Sequence, residues 1–174
     1  MGGREPDRRE RGDMMSVRVR ALSAAGAIAL SVGLVGCADS SADQSATAPP
    51  CDGVATSDFG LGNAVHAAVP ALAALPVRFS TGDARVKRVA DSDSLIVEVH
   101  LCAPDASVDE TRDAASAVAR EVAAAPMLGT DVAQMIVENP PASQRITADP
   151  FEPAVFTAAA DVDTLRSQWL ITER

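Results

Sequence analysis

The side chains able to do chemistry are few: three cysteines (Cys37, Cys51, Cys102) and two histidines (His66, His100). Nucleophilic catalysis needs a Ser, Cys or Thr beside a base that a third group orients. Only His66 and His100 could be that base, and neither sits in a Gly-x-Ser-x-Gly or His-Glu-x-x-His setting. His66 falls among alanines at helical spacing, and His100 falls on an expected strand opposite its core-facing set. Each is read as structural or solvated, so the chain is not expected to be an enzyme. Glu98 and His100 share a strand face and could bind a metal with a third ligand, but the sequence names none. Asp91 and Asp93 have the spacing of a calcium loop without the following Asn-Gly and distal Glu, which leaves a solvated turn. Gly60-Leu61-Gly62 lacks the preceding strand, the third glycine and the lysine of a phosphate cradle, and reads as a flexible start to a helix. No metal or cofactor is expected.

The remaining chemistry lies at Cys37. From Met14 the chain runs Met-Met-Ser-Val-Arg-Val-Arg, then a largely apolar stretch from Ala21 to Val35, then Gly36-Cys37. A basic segment, an apolar segment and a small residue in that order are the parts of a signal peptide. The apolar stretch is about 15 residues, short of the roughly 20 that a helix needs to cross the hydrocarbon core. Residues 1–13 mix Arg with Asp and Glu and add no positive charge; they are an extended basic segment, or the true start is Met14 or Met15. The Arg11-Gly12-Asp13 tripeptide falls in the part expected to be removed.

Leu34-Val35-Gly36-Cys37 resembles the lipobox of bacterial lipoproteins. The resemblance implies a diacylglyceryl group on the Cys37 thiol, cleavage that makes Cys37 the new amino terminus, two or three acyl chains in all, and a protein held on the extracytoplasmic face of the cell membrane. Each buried CH₂ contributes about 0.8 kcal/mol, so a multiply acylated cysteine stays attached. The expected organisation is a signal peptide at 1–36, a lipidated flexible linker at 37–50 and one domain at 51–174. Residues 38–50 are mostly Ser, Ala, Asp and Pro without periodicity, with a reach of roughly 20 Å.

Lipidation of Cys37 leaves Cys51 and Cys102 as an even pair in an oxidising space, and a disulfide between them is expected. Closing a loop of about 50 residues would contribute roughly 4 kcal/mol by loop-closure entropy. The alternatives are a reactive thiol near a histidine, which lacks a local signature, and zinc, for which two cysteines are too few ligands.

Six of the 15 basic and four of the 24 acidic residues precede Cys37, leaving nine against 20, a net charge of −11. Such a surface disfavours nucleic acid and polybasic-type membrane binding. Lysine occurs once, at Lys87, among arginines, and the chain is rich in alanine, a coding bias of GC-rich genomes. Apolar residues make up 47% and aromatic residues 3%, so Ala, Val and Leu must build a small core.

The elements that would position these residues follow from periodicity. Phe59, Leu61, Val65, Ala68, Val69, Leu72 and Leu75 predict a helix from about Asp58 to Leu75, capped by Ser57 or Asp58 and kinked or shortened at Pro70. A short strand is expected at 77–80, a turn at Thr81-Gly82-Asp83, and a hairpin of 84–90 with 94–102 around Asp91-Ser92-Asp93. Leu95, Val97, Val99 and Leu101 share the core face of its second strand. Ser107-Val108-Asp109-Glu110 is a capping box opening a helix from Val108 to about Ala125. A central strand at 131–138 stops at Pro140-Pro141, another extended piece falls within 144–157, and a helix from about Asp161 to Leu170 puts Val162, Leu165 and Trp169 on one side.

The order α-β-β-α-β-β-α predicts an α+β two-layer sandwich, a mainly antiparallel sheet with helices on one face. Residues 94–138 resemble the small repeated α+β modules of envelope proteins, and the mature part resembles small uncharacterised lipoproteins of high-GC Gram-positive bacteria; neither likeness implies an activity. The leading expectation is a non-enzymatic, membrane-anchored interaction or accessory module of the cell envelope, with an envelope protein or glycan as partner. The alternatives are a carrier of a small apolar ligand or lipid, held in a thinly packed interior, and a hydrolase using His100 with an unnamed nucleophile.

Overall fold

Alternating and helical patterns each find a partner layer in the computed structural model, which describes residues 48–172. The expected signal peptide, Cys37 and most of the linker lie outside the described residues. The described residues belong to one compact unit. In chain order its elements are α1 (Leu61–Ala73), β1 (Ser80–Arg88), β2 (Leu95–Cys102), α2 (Val108–Ala124), β3 (Val132–Asn139), β4 (Gln144–Ala148), α3 (Pro153–Thr157), α4 (Val162–Ser167) and β5 (Leu170–Ile171). The fold is α+β, with a five-stranded sheet in the order β1-β2-β3-β4-β5. Only β2 and β3 run parallel; the other neighbouring pairs are antiparallel. A parallel neighbour cannot be reached by a tight turn, and α2 makes the crossover.

The core lies between the sheet and the helices. Leu95, Val97, Val99 and Leu101 of β2 alternate inward, joined by Met135 and Val137 of β3 and Ile146 of β4. Against them α2 sets Ala114, Ala115, Val118, Ala119 and Val122, all fully buried. Alanines there let the helix come close to the sheet, and each fully buried Val or Leu contributes about 1.5–3 kcal/mol. The few aromatic residues are not spread thinly: Phe151, Phe156 and Trp169 cluster, with ring centroids 5.0 Å apart for the first pair and 5.9 Å for the second. Trp169 donates its indole N–H to Ser116 Oγ at 2.9 Å, which satisfies the one polar atom of a ring that is otherwise fully buried.

Several local expectations are corrected. The first helix does not begin at Asp58: Phe59 (φ +53°) and Gly60 (φ +80°) leave the helical path, so a 3₁₀ turn at Asp58–Gly60 precedes α1. The helix stops at Ala73, short of Leu75, with Pro70 in its last turn on the solvent side, where the missing bond to His66 costs least. The strand at 77–80 and turn at 81–83 are replaced by one strand, β1, with a bulge between Thr81 and Ala84. A register shift at the start of β3 turns Val132 into the core and Ala133 outward. The closing helix stops at Ser167, so Leu170 enters β5 and Val162 is exposed; α3 is an additional element.

The α2 capping box is present, with Glu110 N donating to Ser107 Oγ and Ser107 N to the Glu110 carboxylate at 2.7 Å. The Ser107 hydroxyl, which also donates to that carboxylate at 2.7 Å, and then the Ser107 amide hold the Glu110 carboxyl below its ordinary range.

Candidate functional site

Among the described residues α1 to α4 gather on the core side, so the opposite sheet face is left mostly to polar side chains placed by strand register. One row crosses the whole sheet: Arg85 on β1 faces Glu98 on β2, then Ile136 on β3, Thr147 on β4 and Leu170 on β5. A second row sets His100 beside Glu138 and Glu138 beside Arg145. A third sets Lys87 beside Ile96 and Ile96 beside Gln134.

Glu98 accepts from Arg85 Nε and from Lys87 Nζ, both at 2.7 Å. Partial burial opposes charge on this carboxyl, but the two cationic donors outweigh it and hold Glu98 below the ordinary carboxylate range. Arg85 is correspondingly raised, chiefly by its bond to Glu98. Across the sheet Arg145 Nη1 donates to Glu138 Oε1 at 2.7 Å, while His100 Nε2 stands 3.6 Å from Glu138 Oε2. Near the β4–β5 edge Gln134 Nε2 donates to Asp149 Oδ2 at 2.8 Å, and the hydroxyls of Thr147 and Thr172 are 3.2 Å apart.

The β3, β4 and β5 part of this face holds a shallow groove of about 530 Å³. Ile136, Thr147 and Leu170 form its floor, Gln134 and Asp149 one end, Arg145 and Thr172 the other. Its mixture of hydrogen-bonding rims and an apolar strip suits contact with another macromolecule.

The sequence-derived candidates fall as follows. Cys37 lies outside the described residues. Cys51 and Cys102 are joined, with Cα atoms 5.5 Å apart. Glu98 and His100 share the open face, but cations hold Glu98 and the carboxylate facing His100 is Glu138. Among the described residues no group of three or more His, Cys, Asp or Glu side chains is arranged to hold a metal ion. His66 is on the exposed side of α1, away from the sheet's polar rows. Asp91 takes a left-handed conformation (φ +58°) in the β1–β2 turn, closed by Val89 N donating to Ser94 O at 2.9 Å.

One polar constellation gave no sequence signal. Asn139, fully buried at the end of β3, accepts from Ala103 N at 3.0 Å and donates to Ala103 O at 2.9 Å, as a strand neighbour's peptide would. It ties β3 to the loop before α2. Gln144 Nε2 adds a bond to Ala106 O at 2.8 Å in that loop. Both are structural, since they satisfy buried backbone groups. An Asn directly before Pro140-Pro141 was the only available hint.

No family model matches the chain, and no curated protein and no solved structure is similar enough to match it.

Proposed function

We propose that this chain is a lipid-anchored extracytoplasmic module that binds an envelope partner through the open face of its sheet and does no chemistry of its own. The observation that carries the reading is the division of labour among its cysteines. Cys51 and Cys102 take each other up, and the cysteine left over is the one that ends the apolar stretch, at Leu34-Val35-Gly36-Cys37. A disulfide fits an oxidising compartment, and a cysteine behind a basic and an apolar segment fits lipid attachment there. The open face supports the second half: its charges are paired with one another, one of them, Arg145, lines a groove, and the group opposite His100 is a carboxylate. In an extracytoplasmic setting the groove's polar rims suit a protein surface or a glycan.

Labelling cells that express the protein with radioactive palmitate tests the anchor. Incorporation into the wild type and none into Cys37→Ala, with release of that variant from membranes, is expected. Equal membrane retention of both would overturn the reading. The binding half is tested by crosslinking from a photoreactive group at position 147, with one at position 66 as control. Recovery of the same envelope component from both positions would remove the open face as the binding surface.

A further inference from the structure

Residues 49–56 run along the outer edge of β1 as a strap. Pro49 O accepts from Ser80 Oγ, Asp52 O accepts from Asp83 N at 3.0 Å, and Thr56 N donates to Ala84 O at 2.8 Å, with Ala55 and Ala84 in parallel register. The approach is close. A Cβ on Gly53, which has φ +87°, would lie 2.7 Å from Asp83 Cβ. One on Gly82 would lie 2.4 Å from the Asp52 carbonyl oxygen and 2.6 Å from Cys51 Sγ. This explains the bulge: Gly82 is where the strap presses on β1.

The strap nevertheless fully buries none of its residues. Val54 is 81% exposed, Pro50, Asp52 and Gly53 are exposed, and Pro49, Cys51, Ala55 and Thr56 are half-buried, Ala55 against the core. Two main-chain hydrogen bonds and one from Ser80 must hold eight residues, whose ordering opposes folding at every position. The Cys51–Cys102 bond supplies what these contacts lack by tying the start of the strap, where it crosses the β1 bulge at Gly82, to the end of β2, the Cα atoms 5.5 Å apart.

We propose that this disulfide is a redox-sensitive latch: a dithiol reductant frees the strap and uncovers the edge of β1 from Ser80 to Ala84, while the layers beneath stay folded. Cys51 is half-buried and Cys102 is 6% exposed, so attack falls on the Cys51 sulfur. One thiolate of the reductant bonds to Cys51 Sγ, and Cys102 leaves as a thiolate. The reductant's second thiolate then closes its own disulfide and releases Cys51. The protein pair gains the two electrons that the dithiol loses, and solvent protonates both cysteines.

Release uncovers outward backbone groups of β1, a strand-accepting edge that the strap otherwise fills. Resting on the lipid-anchor reading, it also adds residues 49–56 to the tether, about 28 Å of further extended chain.

Hydrogen exchange on the full chain in detergent tests the latch without reference to the anchor, comparing oxidised protein, protein held with dithiothreitol, and the Cys51→Ser/Cys102→Ser variant. In the two disulfide-free forms the Thr56 and Asp83 amides should exchange roughly tenfold faster or more, while those of β2, β3 and α2 stay protected over the same period. Unchanged protection at Thr56 and Asp83 would show that the strap holds without the bond. Loss of protection across the whole domain at once would show that the bond staples the fold. Either result ends the proposal, and a failure of lipid labelling at Cys37 affects neither.

Discussion

The two faces of the sheet come from the same alternating strands and carry opposite chemistry. On β2, Val97 and Val99 are fully buried under α2, while Glu98, between them, reaches solvent through its pairs with Arg85 and Lys87. The helix face is defined by closeness of packing, where a lost methylene leaves a gap that neighbours cannot close. The open face is defined by register, which sets one charge beside the next without needing tight fit. Cations and carboxylates aligned across four strands are the feature on which the proposed binding role of that face rests.

The contrast breaks most sharply at the aromatic cluster. Phe156→Ala should cost about 3–5 kcal/mol, because Phe156 is fully buried between Phe151 and Trp169; urea denaturation checks it. A loss under 1 kcal/mol would mean that the core face is no better packed than the open one. Removing the disulfide as Cys51→Ser/Cys102→Ser should lower stability by about 2–4 kcal/mol, read from the denaturation midpoint. Asn139→Ala strands the peptide groups of Ala103 on the core side and should cost about 1–3 kcal/mol, more than any single open-face substitution.

On the open face, Glu98→Gln should cost only about 0.5–1 kcal/mol at neutral pH, and less in high salt. Its pH dependence has a definite sign. The folded-state pKa of Glu98 lies below its unfolded value, so its contribution is complete above the unfolded carboxylate pKa and is lost as pH falls through the lower, folded value. The gap between wild type and Glu98→Gln should therefore narrow only in the acid range below about pH 4.3. A gap that widened on acidification would mean that Glu98 is not held as a carboxylate by its neighbours. Such a result would blur the two faces into one kind of surface.

Alternation in β2 and the capping box at Ser107 stated their structures outright, because each depends on residues near one another in the chain: side chains of period two, and a hydroxyl three residues from a carboxylate. The α+β class followed from the order of such segments. The β1 bulge could not be read this way, since Gly82 yields to Cys51 and Asp52, about 30 residues away in sequence. Nor could the end of the last helix, where Leu170 leaves helical periodicity to pair with Thr147. The polar rows of the open face were half visible: Glu98 and His100 share a strand face by parity alone, but their partners Arg85, Lys87, Glu138 and Arg145 come from other strands. Residue order determined which segments are helix or strand and which faces are apolar, because these are local properties. Which strands become neighbours, and so which charges meet, was decided only when the layers packed, because register between distant segments is set by the core they bury together.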